Sequence, residues 1–181
     1  MKFFYETDRL LLKILDGSNA GDILRFYLTN REIFEHSEAS RPENFYTESY
    51  QQRILNHEFH MCIKQTGVRF WIYKKTDPDH VIGTVCFRNI MRHIYQSCEV
   101  GYKFDPLCWH HGYASEALYK CIQIAFYEMN LHRITAHIMP DNTASIHLAE
   151  RTGFEREGIA RKSALIQGVW EDHIIYSIIH P

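Results

Sequence analysis

The stretch that decides the fold is residues 109–117, which read Trp109-His110-His111-Gly112-Tyr113-Ala114-Ser115-Glu116-Ala117. Behind it, apolar residues recur at helical spacing through Ala114, Ala117, Leu118, Cys121, Ile122, Ala125, Phe126 and Met129. Residues 95–104 ahead of it have the composition of a strand. The sequence therefore predicts a strand, a tight loop with Gly112, and a long helix with about four unpaired N–H groups at its start. Such a start suits a phosphate or pyrophosphate, which the backbone can approach because glycine has no Cβ. The alternative is a glycine that only makes the turn ahead of the helix.

The rest of the chain alternates between strand and helix patterns. Strand patterns cover residues 9–15, 70–73, 81–90, 95–104, 133–138, 154–163 and 171–179. Helix patterns begin behind Ser18, Thr47, Gly112 and Asn142, and residues 30–46 are predicted to be irregular. This mixture predicts a mixed α/β (α+β-like) class with a largely antiparallel sheet. No linker or repeat divides the chain, so we expect a single domain over residues 1–181.

Composition and charge argue against several classes of protein. The 181 residues include 20 basic and 22 acidic side chains, and a formal charge of -2 argues against nucleic-acid binding. Apolar runs are far shorter than the ~20 residues that span a bilayer, and no signal-peptide pattern opens the chain, so no membrane partner is expected. Five cysteines without a C-x-x-C pattern indicate reduced thiols in a cytoplasmic protein. Their spacing to the histidines fits no zinc motif, so no metal is expected.

A wider set of motifs surrounds the glycine-containing loop. The motifs are Trp109-x-x-Gly112-Tyr113-Ala114-x-Glu116-Ala117, Asp141-Asn142-x-x-Ser145, and Glu150-Arg151-Thr152-Gly153-Phe154. With the opening Glu6-Thr7-Asp8-Arg9-Leu10-Leu11-Leu12, they resemble the GNAT superfamily of acyl-CoA-dependent N-acetyltransferases, in the branch of the ribosomal-protein alanine and serine N-acetyltransferases. The resemblance implies a GNAT-like domain whose twisted sheet is splayed at its centre and flanked by helices. It departs from the superfamily at His110 and His111, which leave a loop that often carries basic residues mostly uncharged at neutral pH.

The resemblance implies a site for acetyl-CoA, as co-substrate, between the strands at residues 99–104 and 133–138. Coenzyme contacts are implied for Gly101, Tyr102, Trp109, His110, His111, Gly112, Tyr113, Ala114, Ser115 and Asn142. Glu99 is the implied general base for the acceptor amine, and the alternative is a glutamate that only pairs across the sheet. Ser145 is implied to protonate the departing thiolate or to hydrogen-bond the coenzyme sulfur, and the alternative is a serine that only stabilises the first turn of its helix.

The acceptor implied by the resemblance is a primary amine, most directly the N-terminal amine of a ribosomal protein. A small amine such as a polyamine or an antibiotic stays an alternative, as does a non-catalytic acyl-CoA sensor, and a homodimer is left open. Residues 32–48 carry Glu32, Glu35, Glu38, Glu43 and Glu48 against Arg41. This charge pattern predicts either a solvated loop or an acidic lip that attracts a cationic amine.

Overall fold

Eight strands form a sheet in the structure, a computed structural model that describes residues 1–36 and 38–181. The strands are β1 (Phe4–Glu6), β2 (Leu10–Lys13), β3 (Val68–Lys74), β4 (Asp77–Met91), β5 (Ser97–Phe104), β6 (Arg133–Ile138), β7 (Glu155–Ile166) and β8 (Val169–Ile179). They lie in the order β1-β2-β3-β4-β5-β6-β8-β7, with β5 and β6 parallel and the other neighbours antiparallel. The predicted mixed class with a largely antiparallel sheet is confirmed.

Helices cover both faces of the sheet. They are α1 (Ala20–Thr29), α2 (Arg31–His36), α3 (Glu48–Ile63), α4 (Tyr113–Gln123) and α5 (Thr143–Arg151). On one face, Ile23 of α1 and Leu55 of α3 are buried in a core with Trp71 of β3. On the other face, Leu118 of α4 is buried with Phe87 of β4, so α1, α3 and α4 are each held by the apolar residues that predict them. Among the described residues, no helix combines the length and the apolar character needed to cross a membrane.

Strand β5 presents different chemistry on its two faces, because successive side chains of a strand point in opposite directions. Val100 and Phe104 are buried in the core beneath α4. Glu99, Gly101 and Lys103 occupy the alternate positions and therefore turn toward the face that carries α1, α2 and α3. Both faces of this one strand border the site described below.

The pairing of β5 with β6 ends partway along both strands. The parallel register runs from Ser97 opposite Arg133 to Val100 opposite Ala136. Beyond that point β5 continues for four residues and β6 for two without pairing with each other, so the strands part. The sheet is thus splayed at its centre, as the sequence resemblance implies.

The segment ahead of α3 differs from the sequence-based prediction in two places. Asp16, rather than Ser18, caps the turn before α1: its carboxylate accepts from the Ser18 N–H at 2.9 Å, and α1 begins at Ala20. Residues 30–46 are not irregular throughout, since they contain α2 and a 3-10 turn at Glu43–Tyr46; residue 37 lies outside the described residues. Burial of one aromatic ring against α1 orders this stretch, because the ring centroid of Phe34 lies 5.3 Å from that of Phe26.

Candidate active site

A cleft of about 1200 Å³ opens where β5 and β6 part. The predicted site residues that line it are Glu99, Gly101, Tyr102, Trp109, His110, Gly112, Ala114, Ser115, Asn142 and Ser145. The structure therefore brings together β5, the loop ahead of α4 and the start of α5. His111 and Tyr113 do not line the cleft, and both contact Arg9 behind it instead.

The loop of residues 109–112, called the glycine loop below, leads into α4 at one end of the cleft. Gly112 has a φ of +78° and is the residue from which α4 starts. A side chain is strained in this conformation, and a Cβ at position 112 would lie 3.4 Å from Nη2 of Arg9. Ala114 and Ser115 of the first turn line the cleft, so the N–H groups and dipole of α4 provide a site for an anion.

The other end of the glycine loop is held by Trp109. Its Nε1 donates a hydrogen bond to the carbonyl oxygen of Phe104 at 3.0 Å, which joins the loop to the last residue of β5. His110 follows with a φ of +61°, a conformation that costs energy for a residue with a Cβ. The tight path of the loop is therefore fixed from both sides.

Arg9 is a residue of the site that the sequence reasoning missed. Its Nε lies 2.6 Å from Oε2 of Glu116, and its Nη1 donates to the carbonyl oxygen of His111 at 2.9 Å. Its guanidinium carbon also lies 4.6 Å from the ring centroid of Tyr113. These contacts clamp the glycine loop and the start of α4 onto the turn that leads into β2, which explains why His111 and Tyr113 face away from the cleft. Arg9 and Glu116 both stand in the quoted motifs, but a separation of 107 residues hides their contact in the sequence.

Tyr102 and Ser145 link β5 to α5 across the cleft. Oγ of Ser145 donates to Oη of Tyr102 at 3.0 Å, and Oη of Tyr102 donates to the Ser145 carbonyl oxygen at 3.1 Å. Asn142 caps α5 as predicted, since its Oδ1 accepts from the Ser145 N–H at 3.1 Å. Burial raises the pKa of Tyr102 to about 12, against the opposing effect of the Ser145 hydrogen bond, so this phenol keeps its proton at neutral pH.

Glu99 lies opposite Arg88 of β4, and its Oε2 is 3.2 Å from the Arg88 Nε. Partial burial raises the pKa of Glu99, but hydrogen bonds from Asn89 and Arg88 and the charges of Arg88 and His137 outweigh it and hold the pKa below its usual value. Glu99 is therefore ionised at neutral pH and lines the cleft. The cross-strand pair that the sequence allowed is present, and the carboxylate still borders the open space.

The part of the cleft beneath α1, α2 and α3 carries a group of charged side chains, called the charged wall below. Its members are Glu38, Arg41, Arg69, Arg88, Glu99 and Lys103. Glu38 forms ion pairs with both Lys103 and Arg41. Although burial raises the pKa of Glu38, the charges of Lys103 and Arg41 hold it below its usual value. Arg69 is paired with Glu58, Nε to Oε1, at 2.7 Å.

The charged wall corrects the expectation of an acidic lip. Of the glutamates at residues 32–48, Glu38 lines the cleft, and two cations already neutralise it. Glu35 is paired with Arg31 and also accepts a hydrogen bond from the hydroxyl of Tyr46 at 2.7 Å. Glu32, Glu43 and Glu48 are exposed and lie outside the lining of the cleft. The segment therefore does not present a free negative surface to the cleft.

The cysteines do not add a nucleophile or a metal site. Cys86 and Cys108 line the cleft, but burial raises the pKa of both thiols and so disfavours the reactive thiolate. Burial likewise raises the pKa of Cys98 to about 12. Within residues 1–36 and 38–181, no group of His, Cys, Asp and Glu side chains is arranged to hold a metal ion.

The fold and the cleft together define the class of protein. Residues 9–155 match the family model described as "Acetyltransferase (GNAT) domain". The protein therefore belongs to the GNAT family of acetyltransferases, which confirms the family and fold that the sequence motifs imply.

Proteins that match almost the whole chain include relatives of named activity and solved structures. The ribosomal protein uS5-alanine N-acetyltransferase of Escherichia coli (strain K12) is 32% identical over 177 residues, which is 97% of this chain and 90% of the relative. The crystal structure of the ribosomal-protein-S5-alanine acetyltransferase from Vibrio fischeri has a TM-score of 0.92 at 29% identity, covering 98% of this chain and 97% of that one. Mycobacterium smegmatis RimJ, solved in complex with CoA-disulfide, shares the fold at a TM-score of 0.87 and 22% identity, covering 94% of this chain and 81% of that one.

Proposed function

We propose that the protein transfers the acetyl group of acetyl-CoA to the N-terminal amine of a protein. The observation that carries this proposal is the parting of β5 from β6 beyond Val100 and Ala136, with the glycine loop at one end of the opening. Family membership supports acetyl transfer as the reaction. The relatives named for ribosomal protein S5 support a protein N-terminus as the acceptor.

The donor site would be formed by backbone more than by charge. Beyond Val100 the edge of β5 is unpaired toward β6, so an extended pantetheine arm can add to it as a strand would. Because this edge of β5 is unpaired, a backbone N–H near Gly101 or Tyr102 is a candidate oxyanion donor. The pyrophosphate would bind at Gly112 and the first turn of α4.

The proton of the acceptor amine would pass to Glu99. This carboxylate is ionised and lines the cleft, so it can accept a proton directly or through one water molecule. Its pair with Arg88 makes it a weaker base but fixes its position. An amine that reaches Gly101 passes Glu99 on the same face of β5.

The departing thiolate would receive its proton from Ser145. The Ser145 hydroxyl donates to Tyr102 in the absence of substrate and can turn to donate to a sulfur in the cleft. Tyr102 keeps its proton at neutral pH and can then turn its own hydroxyl toward Oγ of Ser145. The pair would thus supply a proton without a charged side chain beside the thioester.

The charged wall supports a peptide N-terminus over a polyamine as the acceptor. Arg41, Arg69, Arg88 and Lys103 surround the carboxylates on this side. A polyamine would bring several positive charges against these cations, whereas a peptide brings one ammonium group and a neutral backbone. The observation therefore does not favour the small cationic amines as acceptors.

The test is acetylation of matched acceptors with acetyl-CoA as donor. A peptide that begins with alanine or serine should gain the mass of one acetyl group at its N-terminus, and acetyl-CoA should release coenzyme A as free thiol. The same peptide with a blocked N-terminus and an internal lysine is the control, and spermidine and an aminoglycoside represent the small amines. Acetylation of the small amines in preference to the peptide would contradict the acceptor. If the protein binds coenzyme A but acetyl-CoA releases no free thiol with any of these acceptors, the protein is a non-catalytic sensor.

A further inference from the structure

Lys103 is a partly buried lysine inside the cleft that the proposed reaction does not use. It lies two residues after Gly101 on β5, and alternate residues of a strand share a face about 7 Å apart. The cross-strand register agrees, since Cys86 lies opposite Gly101 and Thr84 opposite Lys103. The amine of Lys103 therefore belongs to the same face and the same opening as the backbone that would hold the thioester.

The Lys103 amine lies between the carboxylate of Glu38 and two aromatic rings. Nζ pairs with Glu38 and lies 5.3 Å from the ring centroids of both Tyr27 and Phe34. The side chain is 20% exposed. The amine is thus held out of bulk water but open to the cleft, whose lining includes Lys103 itself.

Charged and titratable groups face this amine from several elements. They are Tyr27 of α1, Glu38 and Arg41 of the segment after α2, and Arg69 of β3. Burial lowers the pKa of Lys103 to about 8, and Glu38 opposes this shift while Arg69 and Arg41 add to it. A substantial fraction of Lys103 is therefore neutral, and nucleophilic, at mildly alkaline pH.

We propose that Lys103 is a self-acetylation site, modified by the acetyl-CoA bound in its own cleft. This inference rests on the proposed function, because it requires the donor between β5 and β6. Lys103 first gives one proton from its ammonium group to solvent. Nζ then attacks the thioester carbonyl carbon, the N–C bond forms, and the C–S bond breaks with its electron pair on sulfur. The second proton lost from nitrogen ends on that sulfur, so the products are an amide, free coenzyme A and one proton.

Acetylation at Lys103 would change the acceptor side of the cleft. The amide carries no charge, so Glu38 keeps Arg41 as its ion-pair partner and loses the other. The added acetyl group also occupies space on the face of β5 that an acceptor must cross. The modified protein should therefore bind coenzyme A as before but acetylate acceptors more slowly.

The experiment is incubation of the intact protein with acetyl-CoA and no acceptor, followed by digestion and mass spectrometry. We expect the mass of one acetyl group on Lys103 to accumulate at least about tenfold faster than on Lys64, which is exposed and outside the cleft. The rate at Lys103 should be half-maximal near pH 8, the value to which burial lowers the pKa of this lysine. Excess coenzyme A should suppress it, because the donor site is then blocked.

Two variants sharpen the test. Lys103→Arg keeps a cation beside Glu38 and should abolish the modification at this position, whereas Lys64→Arg should leave it unchanged. Glu38→Gln should accelerate it, because the lysine loses the partner that favours its charged form. Modification of Lys103 no faster than of Lys64, or undiminished by excess coenzyme A, would overturn the inference.

The same preparation is tested with a peptide acceptor, which separates the two proposals. If the peptide is acetylated and Lys103 stays unmodified, self-acetylation is wrong and the proposed function stands. If neither is acetylated and calorimetry shows no coenzyme A binding, the proposed function fails and self-acetylation fails with it.

Discussion

Tyr102 and Ser145 hold each other across the cleft through a reciprocal pair of hydrogen bonds. The serine hydroxyl donates to the phenol at 3.0 Å, and the phenol donates to the serine carbonyl oxygen at 3.1 Å. The first bond orients the Ser145 hydroxyl, and the second ties the start of α5 to β5. The phenol of Tyr102 is protonated at neutral pH, so it holds Ser145 in place and also carries a proton next to it.

Replacement of Ser145 by alanine should lower kcat on the order of 10–100-fold, because the thiolate loses its proton donor. Tyr102→Phe should lower kcat less, since the Ser145 hydroxyl is retained and loses only the partner that orients it. Both variants should bind coenzyme A with nearly unchanged affinity in calorimetric titration. An unchanged kcat for Ser145→Ala would remove this residue from the reaction.

Gly112→Val should weaken coenzyme A binding at least about tenfold, equivalent to about 1.4 kcal/mol. The left-handed conformation at this position costs about 1–3 kcal/mol for a residue with a side chain, and the new side chain crowds Arg9. His111→Ala is the matched control within the glycine loop, because its ring lies outside the cleft lining. Thermal unfolding should show that both variants fold. Wild-type affinity in Gly112→Val would place the phosphates elsewhere.

Arg9→Ala should reduce coenzyme A affinity without removing any group from the cleft. The substitution removes the contacts of Arg9 with Glu116, with the His111 carbonyl oxygen and with the Tyr113 ring. The glycine loop is then less ordered in the free protein, and its loss of conformational entropy on binding weakens the affinity for the coenzyme. Arg25→Ala, an exposed arginine paired with Asp22 on α1, serves as control and should bind normally. Equal affinities for the two variants would show that the loop holds its shape without the clamp.

Arg88→Gln should move the acid limb of the kcat profile to higher pH. The charge and hydrogen bond of Arg88 help to hold the pKa of Glu99 below its usual value, so their loss raises it and the carboxylate is protonated earlier as pH falls. Glu99→Gln should lower kcat most at low pH, where less free amine is available. If Glu99→Gln has the same kcat as the wild type at every pH, the carboxylate only forms the ion pair with Arg88 and is not the base.

Peptides with acidic residues behind an N-terminal alanine should have a lower KM than peptides with basic residues there. The reason is the charged wall, in which Arg41, Arg69, Arg88 and Lys103 line the side of the cleft proposed for the acceptor. The preference should fade as salt rises, because charges are screened within about 8 Å at physiological ionic strength. A lower KM for the basic peptides would contradict this prediction and support the hypothesis of an acidic lip.

The sequence predicts the elements whose signal is local. The apolar stripe of α4, the glycine before it and the Asn142 cap are each visible within a few residues, and the structure confirms them. The pattern at Ser18 misleads because Asp16, two residues earlier, makes the same kind of cap. Strand β1 escapes detection because three residues cannot show a period.

Contacts between distant segments are what the sequence cannot predict. Net charge along residues 32–48 says nothing of whether Glu38 meets solvent or Lys103, which lies 65 residues away. The pair of Arg9 and Glu116 is hidden in the same way. The family resemblance supplies the cleft but not the side chains that this chain places around it.

The alternation of side chains along β5 separates the residues proposed to face the acceptor from those that hold the strand in the core. Positions 99, 101 and 103 turn toward the side of the cleft proposed for the acceptor, whereas positions 100, 102 and 104 turn toward the core and α5. A codon change at position 103 therefore remodels one side of the strand and leaves the packing of the other side intact. Substitutions on the proposed acceptor face should therefore alter which amines react while the protein still folds, because the buried packing of the other face is untouched.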